Sequence, residues 1–324
     1  MEDGQIMTYR RITVIGGPGF IGRYVIKRLA ERGAVILAAS RHASEALFLN
    51  TMGDVGQIAL LDADFADEAR LRTALSGAES VVISAGILFE RGRQRFDLVH
   101  HRGPALVARL AAETNVKRLV HISAIGADAN APAAYARSKA AGEAAVSAAF
   151  PAATILRPSL VFGPEDDLFN RFAAIARISP MLPLIGGGKT RFQPVYVGDV
   201  ADAVVSALDR PEAQGRAFQL GGPRVYTFRE LMELMLAEIG RKRFLVNLPP
   251  GLLYGPAALM EWLPAPPLTR DQIRLLLRDN VVAPDWPGLA QLGVAPTALE
   301  LVLPTYLDRF RRGNRLLAAL LPNP

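Results

Sequence analysis

The chain has 324 residues, half of them hydrophobic and 21% charged, which is long enough for about two domains and excludes the disordered class. Its 37 basic and 31 acidic residues leave a net charge of +6, an excess that attracts phosphate, anionic lipid or nucleic acid without choosing among them. The absence of cysteine excludes disulfides, thiolate zinc sites and cysteine-ligated iron–sulfur clusters, and it suits a reducing compartment.

Met1 to Arg10 carries two early acids and no apolar run, so no secretory signal is expected there. The next stretch alternates short β-branched runs with longer helical patterns, the mark of βαβ units in a parallel sheet. Strands are predicted over Arg11 to Ile15, Val35 to Ala39, Gln57 to Leu61, Ser80 to Ser84, Arg118 to Ser123 and Ala153 to Leu156. Helices fall near Phe20 to Arg32, Asp67 to Leu75, Pro104 to Thr114 and Ala134 to Ala149. After Pro164 the pattern loosens, with Gly186-Gly187-Gly188 and many prolines, although Val195 to Leu208 reads again as strand then helix. The fold class expected is therefore α/β, a Rossmann-type doubly wound parallel sheet with a smaller, mostly helical C-terminal region. The core spans residues 1–165 and is rejoined at about 193–210, while 166–192 and 211–324 form the smaller region. Gly251 to Leu268 comes nearest to a membrane span, and Pro256, Glu261, Pro264, Pro266 and Pro267 interrupt it.

The first strand runs straight into Gly16-Gly17-Pro18-Gly19-Phe20-Ile21-Gly22, which satisfies GxxGxxG and, from Gly17, GxGxxG. Glycine there permits a tight turn and close approach of backbone to a pyrophosphate, and the following helix offers free N–H groups and its positive end to the anion. A strand before and a helix after make this a dinucleotide loop rather than a packing turn. About twenty residues on, where an acid would read the ribose hydroxyls of NAD, stand Ser40-Arg41-His42 with no acid, which favours NADP. Asp64 and Phe65 after the third strand are placed to lie along an adenine, though an Asp there is as often a helix cap. Ser84-Ala85-Gly86 is small enough to let a cofactor pass closely.

Tyr135 and Lys139 open a helix four residues apart and so share a face. An ammonium beside a phenol favours phenolate and moves it toward a working pH, and Ser123 at the end of the fifth strand supplies a hydroxyl for a substrate carbonyl. The bland alternative is a buried ring with a snorkelling lysine.

Ser123, the YxxxK at Tyr135 and the amino-terminal GxxGxxG together resemble the extended or atypical short-chain dehydrogenase/reductase superfamily, to about Gly240. Several stretches are similar to one narrower group, the NADPH-binding accessory subunit of respiratory complex I (NADH:quinone oxidoreductase) and its bacterial relatives. They are His121 to Ala127, Ser138 to Glu143, Arg157 to Pro164, Gln193 to Val200, Leu268 to Ile273 and Leu277 to Val281. The resemblance implies a tightly held NADPH without recognised turnover, in the peripheral arm near the quinone-reduction region, peripheral to the inner (cytoplasmic) membrane on its cytoplasmic or matrix side. It carries cofactor contacts onto Gly16, Gly19, Phe20, Ile21, Arg41, Asp64, Ala85, Lys139 and Pro158, beside which Pro18, His42, Phe65 and Tyr135 are further candidates, and the catalytic set, possible as a vestige, onto Ser123, Tyr135 and Lys139. One departure stands out: many superfamily members have Asn in a pattern like FxxVNxxG, where this chain has His100.

The remaining signals are weaker. Four histidines without HExxH spacing argue against a catalytic metal, and Asp166 and Asp167 read as a loop and helix cap. Arg91, Arg93, Arg95 and Arg102 form a basic stretch. The tail combines Arg309, Arg311, Arg312 and Arg315 with Phe310, Leu316, Leu317, Leu320 and Leu321, suiting an anionic lipid surface, a partner subunit or an ordinary docked helix. The functional expectation is a non-catalytic NADPH-binding accessory subunit partnered by the peripheral arm. The alternatives are an active NADP-dependent reductase, epimerase or dehydratase on a carbonyl or sugar nucleotide, and a module sensing the NADP pool. No aromatic and basic stacking motif supports nucleic-acid binding.

Overall fold

Short runs of β-branched residues buried on both faces dictate the centre of the molecule, since such strands are stable only between two layers of helices. The computed structural model describes residues 11–263 and 266–311. The chain divides into unit 1 (Met1–Pro158, Gly198–Leu220 and Ala283–Ala295) and unit 2 (Ser159–Val197, Gly221–Val282 and Pro296–Pro324). Unit 1 opens with β1 (Ile12–Ile15), α1 (Phe20–Glu31), β2 (Ile36–Ser40), β3 (Ile58–Asp62), α2 (Glu68–Leu75) and β4 (Ser80–Ile83). It continues with α3 (Gly103–Glu113), β5 (Arg118–Ile122), α4 (Ala134–Ala149) and β6 (Thr154–Pro158). Unit 2 begins with β7 (Val161–Phe162), α5 (Leu168–Ile178), β8 (Met181–Ile185), β9 (Arg191–Phe192) and β10 (Val195–Tyr196). The chain returns to unit 1 with α6 (Val197–Asp209) and β11 (Ala217–Leu220). It then adds β12 (Tyr226–Thr227), α7 (Phe228–Glu238), β13 (Phe244–Leu248), α8 (Pro250–Met260), α9 (Arg270–Leu276) and α10 (Leu299–Leu307) to unit 2.

The sheet of unit 1 runs β11-β6-β5-β4-β1-β2-β3 with every pair parallel. Strand order reverses between β1 and β4, and the carboxyl ends of those two strands are where such a sheet binds ligands. Every residue of β1 and β4 is buried, and the Thr13 hydroxyl donates to the Ala74 carbonyl at 2.7 Å to satisfy its own burial. Helices α2, α3 and α4 close one face through Leu71, Val107, Leu110 and Val146, all inaccessible to water, each contributing about 1.5–3 kcal/mol by burial. Ion pairs from α1 to α6, Arg28 to Asp202 at 2.8 Å and Arg32 to Asp209 at 2.7 Å, are partly exposed and add little.

Unit 2 gathers Phe162, Phe169, Phe228, Leu231 and Leu303 into its own core. Its strands pair two by two, β7 with β10, β9 with β12 and β8 with β13, beside the expected helices. Asp166 accepts from the Phe169 N–H at 2.7 Å and from the Tyr306 hydroxyl at 2.5 Å, so it acts as the cap of α5. Gly198–Leu220 belongs to unit 1, beginning inside the expected return at about 193–210; the strand read at Val195 stays in unit 2 as β10, and the seventh strand of the sheet is β11. The four residues Ala217-Phe218-Gln219-Leu220 are too few to announce a strand by periodicity.

Candidate nucleotide site

The glycine loop connects β1 to α1 within unit 1, and its backbone is shaped by contacts that exclude a side chain. Gly16 has φ +83°, and a Cβ there would lie 2.7 Å from the Ala85 nitrogen; at Gly22 it would lie 2.4 Å from the Gly16 carbonyl oxygen. The Gly19 N–H donates to the Gly16 carbonyl at 3.0 Å, and the Ser84 hydroxyl donates to the Ile15 carbonyl at 3.0 Å. The loop, β1 and β4 are therefore tied together where the strand order reverses. Helix α1 begins at Phe20, with Gly19 at its N-cap, no side-chain cap and no acid in its first turn. Its first N–H groups and positive dipole end are left for an anion, and the cradle fits a dinucleotide pyrophosphate lying over Gly16, Pro18, Gly19, Phe20 and Ile21.

The adenosine side is less uniform. Arg41 and His42 are exposed after β2, and the Arg41 guanidinium lies against the Gln94 side-chain amide. Gln94 closes a tight turn with Arg91 (N–H to carbonyl, 2.9 and 2.8 Å), so part of the expected basic stretch reaches the Arg41 position. Asp64 does not cap α2: that role falls to Asp67, which accepts from the Arg70 N–H at 3.0 Å. Asp64 instead accepts from the Ala66 N–H at 2.9 Å in a local turn. The Phe65 ring sits against Gly103, where a Cβ would come within 2.4 Å of it, so one face of that ring is committed to the start of α3. Ala85 packs on Gly16, and Pro158 ends β6 with its carbonyl accepting from the Ile125 N–H at 3.0 Å.

Ser123, Tyr135 and Lys139 all lie in unit 1, on β5's exit and on α4. The Ser123 hydroxyl is buried without a hydrogen-bond partner among the described residues, an orphan suited to a ligand oxygen. The Lys139 ammonium donates to the Ile122 carbonyl at 3.2 Å and stands 6.0 Å from the Tyr135 ring centre. The phenol is not lowered, as the spacing led one to expect; burial pushes it up to about 12. Burial likewise lowers Lys139 to about 8, with the Glu143 carboxylate pulling the other way. Glu143 is in turn gripped by Arg157, with Nε to Oε1 at 2.9 Å and Nη2 to Oε2 at 2.5 Å.

His100, the departure from the superfamily's Asn, occupies a π-helical turn, Asp97–Arg102, just before α3. Its Nε2 accepts from the Ile87 N–H at 3.0 Å, which assigns the proton to Nδ1; Nδ1 then donates to the Ser138 hydroxyl at 2.9 Å. The Ser138 hydroxyl in turn donates a hydrogen bond to the Tyr135 carbonyl at 2.7 Å. The ring stacks on Phe96 (5.3 Å, 20°) and meets Tyr135 edge-on (5.2 Å, 85°). His100 thus clamps the loop after β4 to the first turn of α4. Burial, then the Lys139 charge, hold it neutral, down to about 2, and the same causes bring fully buried His121 to about 3.

Residues 12–221 match the NAD dependent epimerase/dehydratase family. The chain belongs to that family. It is also 34% identical over 314 residues to NADH dehydrogenase (ubiquinone) 1 alpha subcomplex subunit 9, mitochondrial, of Arabidopsis thaliana, covering 93% of this chain and 78% of that protein. A ceramide reductase of Caulobacter vibrioides is 30% identical over 254 residues, 78% of each chain. Among solved structures, an epimerase of Methanothermobacter thermautotrophicus superposes with a TM-score of 0.74 at 18% identity, over 97% of this chain and 95% of that one, and so shares the fold. Both the expected fold class and the expected family are borne out.

In this member of the epimerase/dehydratase family, sequence reasoning missed three contributors to the site. Ser138 and the Ile87 N–H hold His100, and Gly142 lets α4 approach the turn, since a Cβ there would collide with the His100 carbonyl. Gly142 and Ser138 stood inside a recognised stretch, yet only the folded turn shows what they meet. Among the described residues no cluster of His, Cys, Asp and Glu could hold a metal ion.

Proposed function

We propose that this chain is a non-catalytic NADPH-binding accessory subunit of a respiratory NADH:quinone oxidoreductase, held in the peripheral arm near the quinone-reduction region and peripheral to the inner or cytoplasmic membrane. The observation that carries the reading is the 34% identity over 93% of the chain to subunit 9 of a mitochondrial NADH dehydrogenase, because it extends through the C-terminal region where family members differ in purpose. The Arg41 position without an accompanying acid supports NADPH over NADH. No helix among the described residues is long and apolar enough to cross a membrane, which suits attachment from one side.

The sequence left the basic tail open between a lipid surface, a partner subunit and an ordinary docked helix. Within the described part, Arg309 donates to Asn170 at 2.5 Å and Arg311 to the Glu238 carbonyl at 2.6 Å, so both are engaged by unit 2 itself. Arg312, Arg315 and the leucines beyond lie outside the described residues.

Mild solubilisation of native membranes, followed by size separation, tests the reading. Comigration with NADH:quinone oxidoreductase activity through a salt wash, with NADPH retained by both the native chain and Tyr135→Phe, is the expected result. A small free species that reduces a carbonyl substrate, and loses that activity in Tyr135→Phe, would replace it with the reductase reading. That second reading draws on the intact Ser123, Tyr135 and Lys139 set and on the likeness to a ceramide reductase.

A further inference from the structure

The charge excess is not shared evenly between the two units. Unit 2 carries 16 basic and 11 acidic residues, a net +5, whereas unit 1 is close to neutral at +1. Within unit 2, residues 168–191 and 239–260 are the two stretches that pair through β8 and β13. They contain seven cations, Arg171, Arg177, Lys189, Arg191, Arg241, Lys242 and Arg243, and no acid at all.

Large apolar side chains lie exposed in those same stretches. Met181 and Phe244 face each other in the register of β8 and β13, at 53% and 75% exposure, with Ile178 at 87% just before them. Arg177 and Lys242 flank this cluster, and neither pairs with a carboxylate among the described residues. β13 leads through Pro249 into α8, an eleven-residue helix without a charged side chain. One face of α8 packs Ala257 against Ile185 and Ile273, while Leu252, Leu259, Trp262 and Leu263 stay open to water. The acid that follows α8, Glu261, is neutralised by Arg270 at 2.8 Å.

We propose that β13, α8 and the neighbouring edge of β8 form a surface that seats on an anionic phospholipid bilayer, with Phe244, Leu259 and Trp262 entering the interface and Arg177 and Lys242 meeting headgroup phosphates. At about 16 Å long, α8 cannot span a bilayer, but it suits an interfacial helix. Trp at the edge of such a helix places its ring at headgroup depth. A second copy of the chain is a poor occupant, because a two-fold contact would set Arg177 and Lys242 against their own like charges. This surface deepens the peripheral-membrane part of the reading above and does not require the protein partners.

The test is flotation of the full chain, loaded with NADPH, with vesicles of phosphatidylcholine alone or with 30% phosphatidylglycerol, together with quenching of Trp262 by brominated acyl chains in a Trp286→Phe background, since the chain has two tryptophans. Anionic vesicles should bind the chain and quench the tryptophan. Arg177→Glu with Lys242→Glu should weaken binding by about 25-fold or more, at about fivefold for each lost cation. Phe244→Asp and Leu259→Asp, both at exposed positions, should weaken it with no change in melting temperature. Equal binding to neutral and anionic vesicles, no binding to either, concentration-dependent dimerisation that the same substitutions abolish, or unaltered binding of these variants would each overturn the proposal. Failure to comigrate with the respiratory enzyme would leave vesicle binding intact, so the two readings fail separately.

Discussion

His100 and His121 make the stability of unit 1 depend on pH in a calculable way. In the unfolded chain each imidazole takes up a proton near its usual 6.5, whereas the folded protein keeps His100 neutral to about 2 and His121 to about 3. Below pH 6.5 the unfolded state therefore binds more protons, and stability falls as pH falls; above about pH 7.5 the contribution is complete. Going from about pH 7.5 to about 5.5, each histidine costs about 1.4 kcal/mol, and the pair about 2.7. That is a large fraction of a typical folding free energy of about 5–15 kcal/mol. Lys139, lowered to about 8, is still mostly protonated at the top of this window and adds only about 0.2 kcal/mol in the same direction, a share common to the native chain and the variant. Burial raises Asp166 and Asp209, which gives them the opposite dependence, so the comparison must be made between proteins and not only between pH values. Urea unfolding of the native chain and His100→Asn at both pH values isolates the His100 share. The variant should lose about 1.4 kcal/mol less than the native protein between the two pH values. An identical acid loss in both would refute the assignment of a buried neutral imidazole.

Two further substitutions probe the same wall of the site. Gly142→Ala drives a methyl into the His100 carbonyl and should destabilise by about 1–3 kcal/mol in thermal unfolding, while an alanine at the exposed Gly251 should cost nothing by comparison. Arg157→Met leaves Glu143 buried without its bidentate partner and should cost about 3 kcal/mol in denaturant unfolding, most of it recovered when Glu143→Gln is added.

Much of unit 1 was legible because its strands and helices obey distinct periods. α4 runs over Ala134–Ala149, the span the Ala-rich pattern marked, and β4 and β5 begin at the residues where their β-branched runs begin. β11 was hidden since four residues between Gly215 and Gly221 carry no period of their own, and only the exposed edge of β6 makes them a strand. The site shows the same division. A spacing of four places Tyr135 and Lys139 on one face, but it says nothing of which acceptor wins the ammonium, and here the Ile122 carbonyl does. His100 was visible as an unexpected letter, while its partners come from two other segments that only folding brings near.

Those partners change what Ser123, Tyr135 and Lys139 amount to in physical terms. Tyr135 is held as a phenol and His100 and His121 as neutral imidazoles, so Lys139, lowered to about 8, is the one group of the four that exchanges a proton near neutrality. The one charge left among them, on Lys139, is fixed by a carbonyl and balanced at longer range by Glu143, itself locked to Arg157. The hydrogen bonds of His100 and Ser138 lower the freedom of the loop after β4 and of the start of α4. A wall built this way suits a nucleotide bound for the lifetime of an assembly, and the readout that separates holder from enzyme is whether the native chain turns over a carbonyl substrate and Tyr135→Phe does not.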